Sequence, residues 1–151
     1  MSPWTESQAT RISFEYSLLL EKLPGFEMYE INSPGKANVS GNYISSANNE
    51  YTLCAVIKQN FPFEMPSLYI TNPIIIFGYG GITIQSHGTS HSMHVWSSDW
   101  NNYVKICHWR DEFWSAEYTI LSVLMKGILW IEAFEVHRKT GRSIDEFSRS
   151  F

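Results

Sequence analysis

Cys107 stands in the run Val104-Lys105-Ile106-Cys107-His108-Trp109, and Trp114-Ser115 follows seven residues after it. A cysteine does its chemistry as the thiolate. That group can attack a carbonyl carbon, hold the acyl group as a thioester and later release it to an amine or thiol. Lys105, His108 and Arg110 lie close enough in sequence to favour the thiolate, while Asp111 and Glu112 oppose them. The plain alternative is a packed thiol behaving as a small hydrophobe. The other cysteine, Cys54, lies inside the apolar run 51–58 and reads that way. Cys107 instead follows a long stretch without period, so the nucleophile reading is the stronger one for it.

That stretch, 78–103, carries His87, His91 and His94 with Trp96, Trp100 and Asn101. Imidazole can give or take a proton near neutral pH, and it is also a metal ligand. His87, His91 and His94 follow the spacing His-x3-His-x2-His, and Cys107 and His108 are zinc-ligand types nearby. This is a weak zinc alternative, because the spacing matches no familiar pair-and-pair pattern and only one cysteine is near. Each histidine can equally be a solvated loop residue.

The elements that must hold these residues are legible in outline. Residues 3–23 open with Thr5 and Glu6, carry Ile12, Leu18, Leu19 and Leu20, and stop at Pro24-Gly25, which reads as a first helix. Residues 26–31, 37–45, 51–58 and 67–76 read as strands, separated by turns rich in Asn, Ser, Pro and Gly. The segment Phe61-Pro62-Phe63-Glu64-Met65-Pro66 is neither helix nor regular strand, since its two prolines remove donors. A long helix is expected over 117–139, apolar on more than one face, with Gly141 as its C-cap. Strands in succession followed by a helix give an α+β domain.

Composition narrows the function classes. The chain has 151 residues, the length of one domain, and only 17% of them are charged. Six Trp, eight Tyr and nine Phe exceed what one small core needs, so some aromatic surface should face a partner. The net charge is -4 with no basic run, so neither nucleic acid nor an anionic surface is an expected partner. Two cysteines make no disulfide scaffold. There is no leader-like N-terminus, and Lys126, Glu132 and Glu135 interrupt the longest apolar helix, so a cytoplasmic protein without a membrane span is expected. No phosphate-binding loop, dinucleotide fingerprint or Gly-x-Ser-x-Gly occurs, and no cofactor is expected.

Taken in order, these signals resemble the ubiquitin-conjugating enzyme (UBC) family. The first helix, the strand meander and the 61–66 segment resemble the family's opening and its proline-rich stretch. Ile106-Cys107 resembles its active-site pair. Phe113-Trp114-Ser115-Ala116 with Thr119-Ile120 resembles its tryptophan-serine-proline segment, with Ala116 in place of the proline. The resemblance covers residues 3–134. It implies a single UBC-like domain over 1–151, with an N-terminal helix (1–24), an antiparallel four-stranded meander (26–76), an active-site loop (78–107) and the central helix (117–139). The family's histidine-proline-asparagine tripeptide is missing: Asp99 stands eight residues before the cysteine, where its asparagine would be. The family's C-terminal helices are also absent. These departures resemble the bacterial branch found in type II anti-phage operons that signal through cyclic oligonucleotides (CBASS).

The resemblance implies a transferase. Cys107 would carry the C-terminus of a protein, a cGAS-like nucleotidyltransferase, as a thioester and pass it to an acceptor, priming anti-phage signalling; an activating enzyme is a further implied partner. Acyl transfer develops an oxyanion that a fixed donor must meet. With the family's asparagine missing, His94 is the first candidate for that role, His91 the second and Asn101 the third, and Trp114 is a secondary site residue. The alternatives are a catalytically inactive UBC-fold binding module and a zinc-stabilised interaction domain on His87, His91 and His94.

Overall fold

Residues 3–89, 92–109 and 111–147 are described by the computed structural model of the chain. Helix α1 (Glu6–Lys22) starts where Thr5 accepts the Gln8 N–H and Gln8 returns the bond to the Thr5 N–H, a reciprocal cap that satisfies two otherwise orphaned donors. It buries Ile12, Glu15 and Leu19. Strands β1 (Glu27–Tyr29), β2 (Asn38–Ile44), β3 (Glu50–Val56) and β4 (Ser67–Asn72) follow as an antiparallel meander. Gly41 in β2 is required by packing: a Cβ there would come within 2.5 Å of the Phe26 ring.

The expected four-stranded antiparallel meander is present as β1 to β4, and the structure extends it to six strands in the order β1-β2-β3-β4-β6-β5. The extra pair is a hairpin, β5 (Val95–Trp96) and β6 (Val104–Ile106), and β6 lies beside β4 with Leu68 opposite Ile106 and Ile70 opposite Val104. Strands of two and three residues are too short to show alternation in sequence. Their connection turns through Asn101 and Asn102, both at positive φ, a conformation that asparagine tolerates better than most residues. The fourth strand ends at Asn72 rather than 76, because Pro73 cannot donate to the ladder.

Helix α2 (Ile120–Thr140) starts at a second reciprocal cap, between Thr119 and Ser122, three residues later than expected. The Glu15 carboxylate of α1 also accepts the Ile120 N–H at 2.8 Å, so one helix caps the other. Val123, Leu124, Gly127, Trp130, Ile131 and Phe134 are buried. A Cβ on Gly127 would lie 2.9 Å from Leu68 and 3.2 Å from Leu53, so this glycine lets the helix approach the sheet closely. The other buried side chains form one core with these. Gly141 closes α2 in the left-handed region, and a short 3-10 turn (Ile144–Phe147) follows. Among the described residues no helix is long and apolar enough to cross a membrane.

Candidate functional site

Cys107 follows β6 directly and is half-buried, whereas Cys54 is buried within β3. The Cys107 N–H donates to the His94 carbonyl at 2.8 Å, which extends the β5–β6 ladder by one step and fixes the cysteine backbone. Alternation then sets what surrounds it. Val104 and Ile106 are fully buried in the core, and Lys105 between them pairs with Tyr69 of β4 and Trp96 of β5. Beside this end of the sheet lies a cavity of about 580 Å³, whose lining includes Lys58, Phe63, Trp96, Lys105, His108 and Trp114. The residues two before and one after the cysteine thus form part of its wall.

The proline-containing segment is the far wall of that cavity. Trp114 donates its indole N–H to the Pro62 carbonyl at 2.9 Å, tying the loop after the cysteine to residues 61–66. Trp114 also sits edge-on to Trp109, with centroids 5.5 Å apart, and Trp109 stacks on Tyr118 at 4.9 Å. Trp114 therefore frames the site through its packing. Arg11 of α1 extends the frame by donating to the Ala116 and Tyr118 carbonyls at 2.6 and 2.7 Å, while its Nε is held 2.8 Å from Glu15.

The charges near Cys107 differ from those expected. His108 is 2% exposed, and burial pushes its imidazole down to about 4, so at neutral pH it carries no charge to favour a thiolate. Its Nδ1 lies 3.2 Å from the Ile106 carbonyl, which can only accept, so the ring proton sits on Nδ1. Nε2 is buried without a hydrogen bond of normal geometry, although the Pro66 carbonyl also favours protonation of the ring. Lys105 is held 2.7 Å from Asp99. Arg110 lies outside the described residues, and so does the side chain of Asp111. Among the described residues, Lys126 of α2 is a cation whose charge acts on Cys107. Burial lowers its basicity, and the charge on Cys107 restores part of it. Lys126 Nζ sits 4.1 Å from the Trp109 ring centroid, within cation–π range. In the sequence Lys126 is only an interruption of an apolar helix.

Of the expected oxyanion donors, the two that fall among the described residues, His94 and Asn101, are engaged or exposed elsewhere. His94 is 2% exposed, and its Nε2 lies 2.7 Å from Asp145, whose N–H donates to the Ser92 carbonyl. Its ring thus helps anchor the 3-10 turn after α2, while its backbone carbonyl serves Cys107. Its φ of 51° places it in the left-handed region. His91 lies outside the described residues. Asn101 is exposed in the turn of the β5–β6 hairpin. Asp99 accepts from the Tyr69 hydroxyl at 2.6 Å and from Lys105, and the Lys105 hydrogen bond holds its carboxyl below the usual range. As a carboxylate it can only accept, so it cannot replace an asparagine donor.

The zinc alternative gains no support from the geometry. His87 sits edge-on to His137 with centroids 4.7 Å apart, and its Nε2 lies 2.9 Å from the Tyr79 carbonyl. His137 receives the Tyr79 N–H at Nε2 and donates from Nδ1 to the Arg142 carbonyl at 2.8 Å. His87 and His94 therefore belong to different clusters. Among the described residues no three His, Cys, Asp or Glu side chains come together as a ligand set.

No family model, curated protein or solved structure matches the chain.

Proposed function

We propose that this chain is a cysteine acyl carrier of the ubiquitin-conjugating type. In this reading Cys107 takes up the C-terminus of a protein as a thioester and releases it to an amine. The observation that carries it is the setting of Cys107: half-buried at the end of β6, beside a cavity large enough for an extended peptide segment. A thiol meant only for packing belongs where Cys54 is, inside the sheet, where burial pushes the thiol up.

The order of elements supports the family. A capped first helix, a four-strand antiparallel run that the 61–66 segment interrupts before its last strand, the cysteine and a long helix packed on the sheet follow the order that the resemblance led us to expect. The short β5–β6 hairpin occupies the place of the family's approach to the cysteine. Within that family the bacterial CBASS branch is the proposed assignment, with the C-terminal tail of a cGAS-like nucleotidyltransferase as the carried group.

When an acyl group is attached to Cys107, the developing oxyanion needs a donor, and neither the His94 ring nor Asp99 is placed to give one. Among the described residues we assign that role to Lys126, whose charge acts on Cys107. The proposed division of labour has Cys107 as nucleophile, Lys126 as the electrostatic partner of thiolate and oxyanion, and Trp114 as the residue that holds the cavity wall.

Co-expression with the proteins encoded beside this chain, followed by non-reducing electrophoresis and mass spectrometry, tests the reading. Wild type should carry a reductant-sensitive protein adduct that Cys107→Ala lacks. An adduct that persists in Cys107→Ala refutes a thioester on this residue. One observation favours a second reading, an inactive binding module of the same fold: His94 is engaged by Asp145. In that case Cys107→Ala would bind the same neighbour as wild type, with no covalent species in either.

A further inference from the structure

Three consecutive residues ahead of β5 are each tied to a different part of the chain. The Asp145 N–H donates to the Ser92 carbonyl at 2.9 Å, the Trp130 indole N–H donates to the Met93 carbonyl at 3.0 Å, and the His94 carbonyl accepts the Cys107 N–H at 2.8 Å. His94 makes a second bond with its side chain. The ring is buried, and its Nε2 lies 2.7 Å from the half-exposed Asp145 carboxylate, which can only accept, so Nε2 carries the proton. One residue therefore turns its ring to the 3-10 turn after α2 and its carbonyl to the cysteine. It does so at φ 51°, in the left-handed region that a histidine enters only at a cost in strain. Cys107 needs such a hold. It stands just past β6, a strand of three residues whose outer neighbour β5 has two, and the ends of so short a ladder open readily unless they are tied.

We propose that Asp145 is a positioning residue for Cys107, acting through the backbone of His94. This rests on the carrier reading of Cys107. With the carboxylate in place, the His94 ring stays buried, its backbone is held in the left-handed region and its carbonyl points at the Cys107 N–H. Without the carboxylate, the Nε2 proton loses that acceptor. The ring turns towards water, φ relaxes and the carbonyl swings away from the cysteine. The sulfur is then spread over several positions. Attack on a carbonyl succeeds only close to one line of approach, and a displacement of about 1 Å can cost about 10²-fold in rate. Alkylation of the same thiol by a small mobile reagent makes a weaker demand on placement. The turn Ile144–Phe147 thus belongs to the site although none of its residues lines the cavity. Any contact that draws this turn away from His94 slows the cysteine from a distance.

The test uses the full chain and two probes, an N-acetyl-tetraglycine thioester of 2-mercaptoethanesulfonate and iodoacetamide, with Cys107 and Cys54 followed separately by peptide mass spectrometry. In the first reaction the thiolate adds to the thioester carbonyl, a new C–S bond forms, the old one breaks and mercaptoethanesulfonate leaves as its thiolate. Asp145→Ala should lower the rate constant for acylation of Cys107 about tenfold, while alkylation of Cys107 is no slower and Cys54 stays protected. A merely structural role for Asp145 would move the two Cys107 reactions together. The effect should also vanish in a His94→Asn background, since asparagine tolerates the left-handed backbone but falls short of Asp145: the double variant should acylate as fast as His94→Asn alone. Should Asp145→Ala unfold the chain, which a reactive Cys54 would report, Asp145→Asn has the same shape and should lower the ratio of acylation to alkylation by a smaller factor. An unchanged ratio in a folded variant overturns the inference and leaves the carrier reading standing, because wild type is still acylated at Cys107. Equal slowing by Asp145→Ala with and without His94→Asn also overturns it, since Asp145 would then not act through His94. A wild type that takes up no acyl group on Cys107 overturns the inference together with the carrier reading.

Discussion

Replacing His108 by phenylalanine should flatten the dependence of stability on pH. The ring is 2% exposed, and burial holds it at about 4 against 6.5 in a solvated histidine. A depressed folded value means that the unfolded chain binds the extra proton more readily, so stability is present above about 6.5 and is lost as pH falls towards about 4. The full loss is about 3–4 kcal/mol, at about 1.4 kcal/mol for each pH unit between those two values. Between about pH 7 and about pH 5 the share already lost is about 2 kcal/mol. Other groups titrate in the same interval, so the measurement is a double difference. Urea midpoints are taken for wild type and His108→Phe at both pH values and converted with the slope of each transition. Phenylalanine keeps most of the buried volume but cannot take a proton, so its loss on acidification should be smaller by about 2 kcal/mol. The variant is itself destabilised at neutral pH, since the Ile106 carbonyl loses its donor, but that cost cancels in the difference. Equal losses in the two proteins would mean that the imidazole is not held neutral in the interior, and Lys126 would then not be the cation that matters at the site.

Removing the carboxyl in Glu15→Ala leaves the Ile120 N–H and the Arg11 guanidinium without their buried partner, and should cost about 3 kcal/mol. Glu15→Gln keeps an acceptor and avoids the burial that raises the Glu15 carboxyl, so it should cost no more than about 1 kcal/mol; urea midpoints that rank the two the other way refute this account of how α1 caps α2. Gly127→Ala gains helix propensity but drives a methyl against the buried Leu68, and thermal unfolding should show a net loss of about 1–2 kcal/mol, where a gain would mean the helix does not approach the sheet so closely. His94→Gln and Asp145→Asn should both speed proteolysis near the 3-10 turn 144–147 and leave discharge of a Cys107 thioester alike. If only the His94 variant slows discharge, its ring acts at the sulfur after all.

Several of the elements around the site follow from local rules that can be read in the chain. Thr5 opens the first helix, Gly141 ends the second, and the 61–66 segment announces itself by its prolines, while the start of the second helix, capped by Thr119, falls three residues later than expected. The α+β class follows from their order. What escaped was whatever depends on tertiary contact. Val95–Trp96 and Val104–Ile106 become strands only because β4 offers an open edge for them, so no period marks them in advance. The histidines invited a role at the cysteine, yet His94 is turned to Asp145, His87 to Tyr79 and His137, and His108 is buried neutral. In each case partners far along the chain decide the role. Lys126 was visible as a charge in an apolar helix, but only the packing of α2 over residues 107–109 gives that charge a purpose.

Whether Cys107 can hold an acyl group is measured most directly by the intact mass of wild type and Cys107→Ala after brief exposure to a glycine-terminated peptide thioester, with hydroxylamine treatment of half of each sample. The account predicts one hydroxylamine-labile acyl group on wild type, at Cys107 with Cys54 unmodified, and none on the variant. An unmodified wild type, or a labile group located on Cys54, would contradict it.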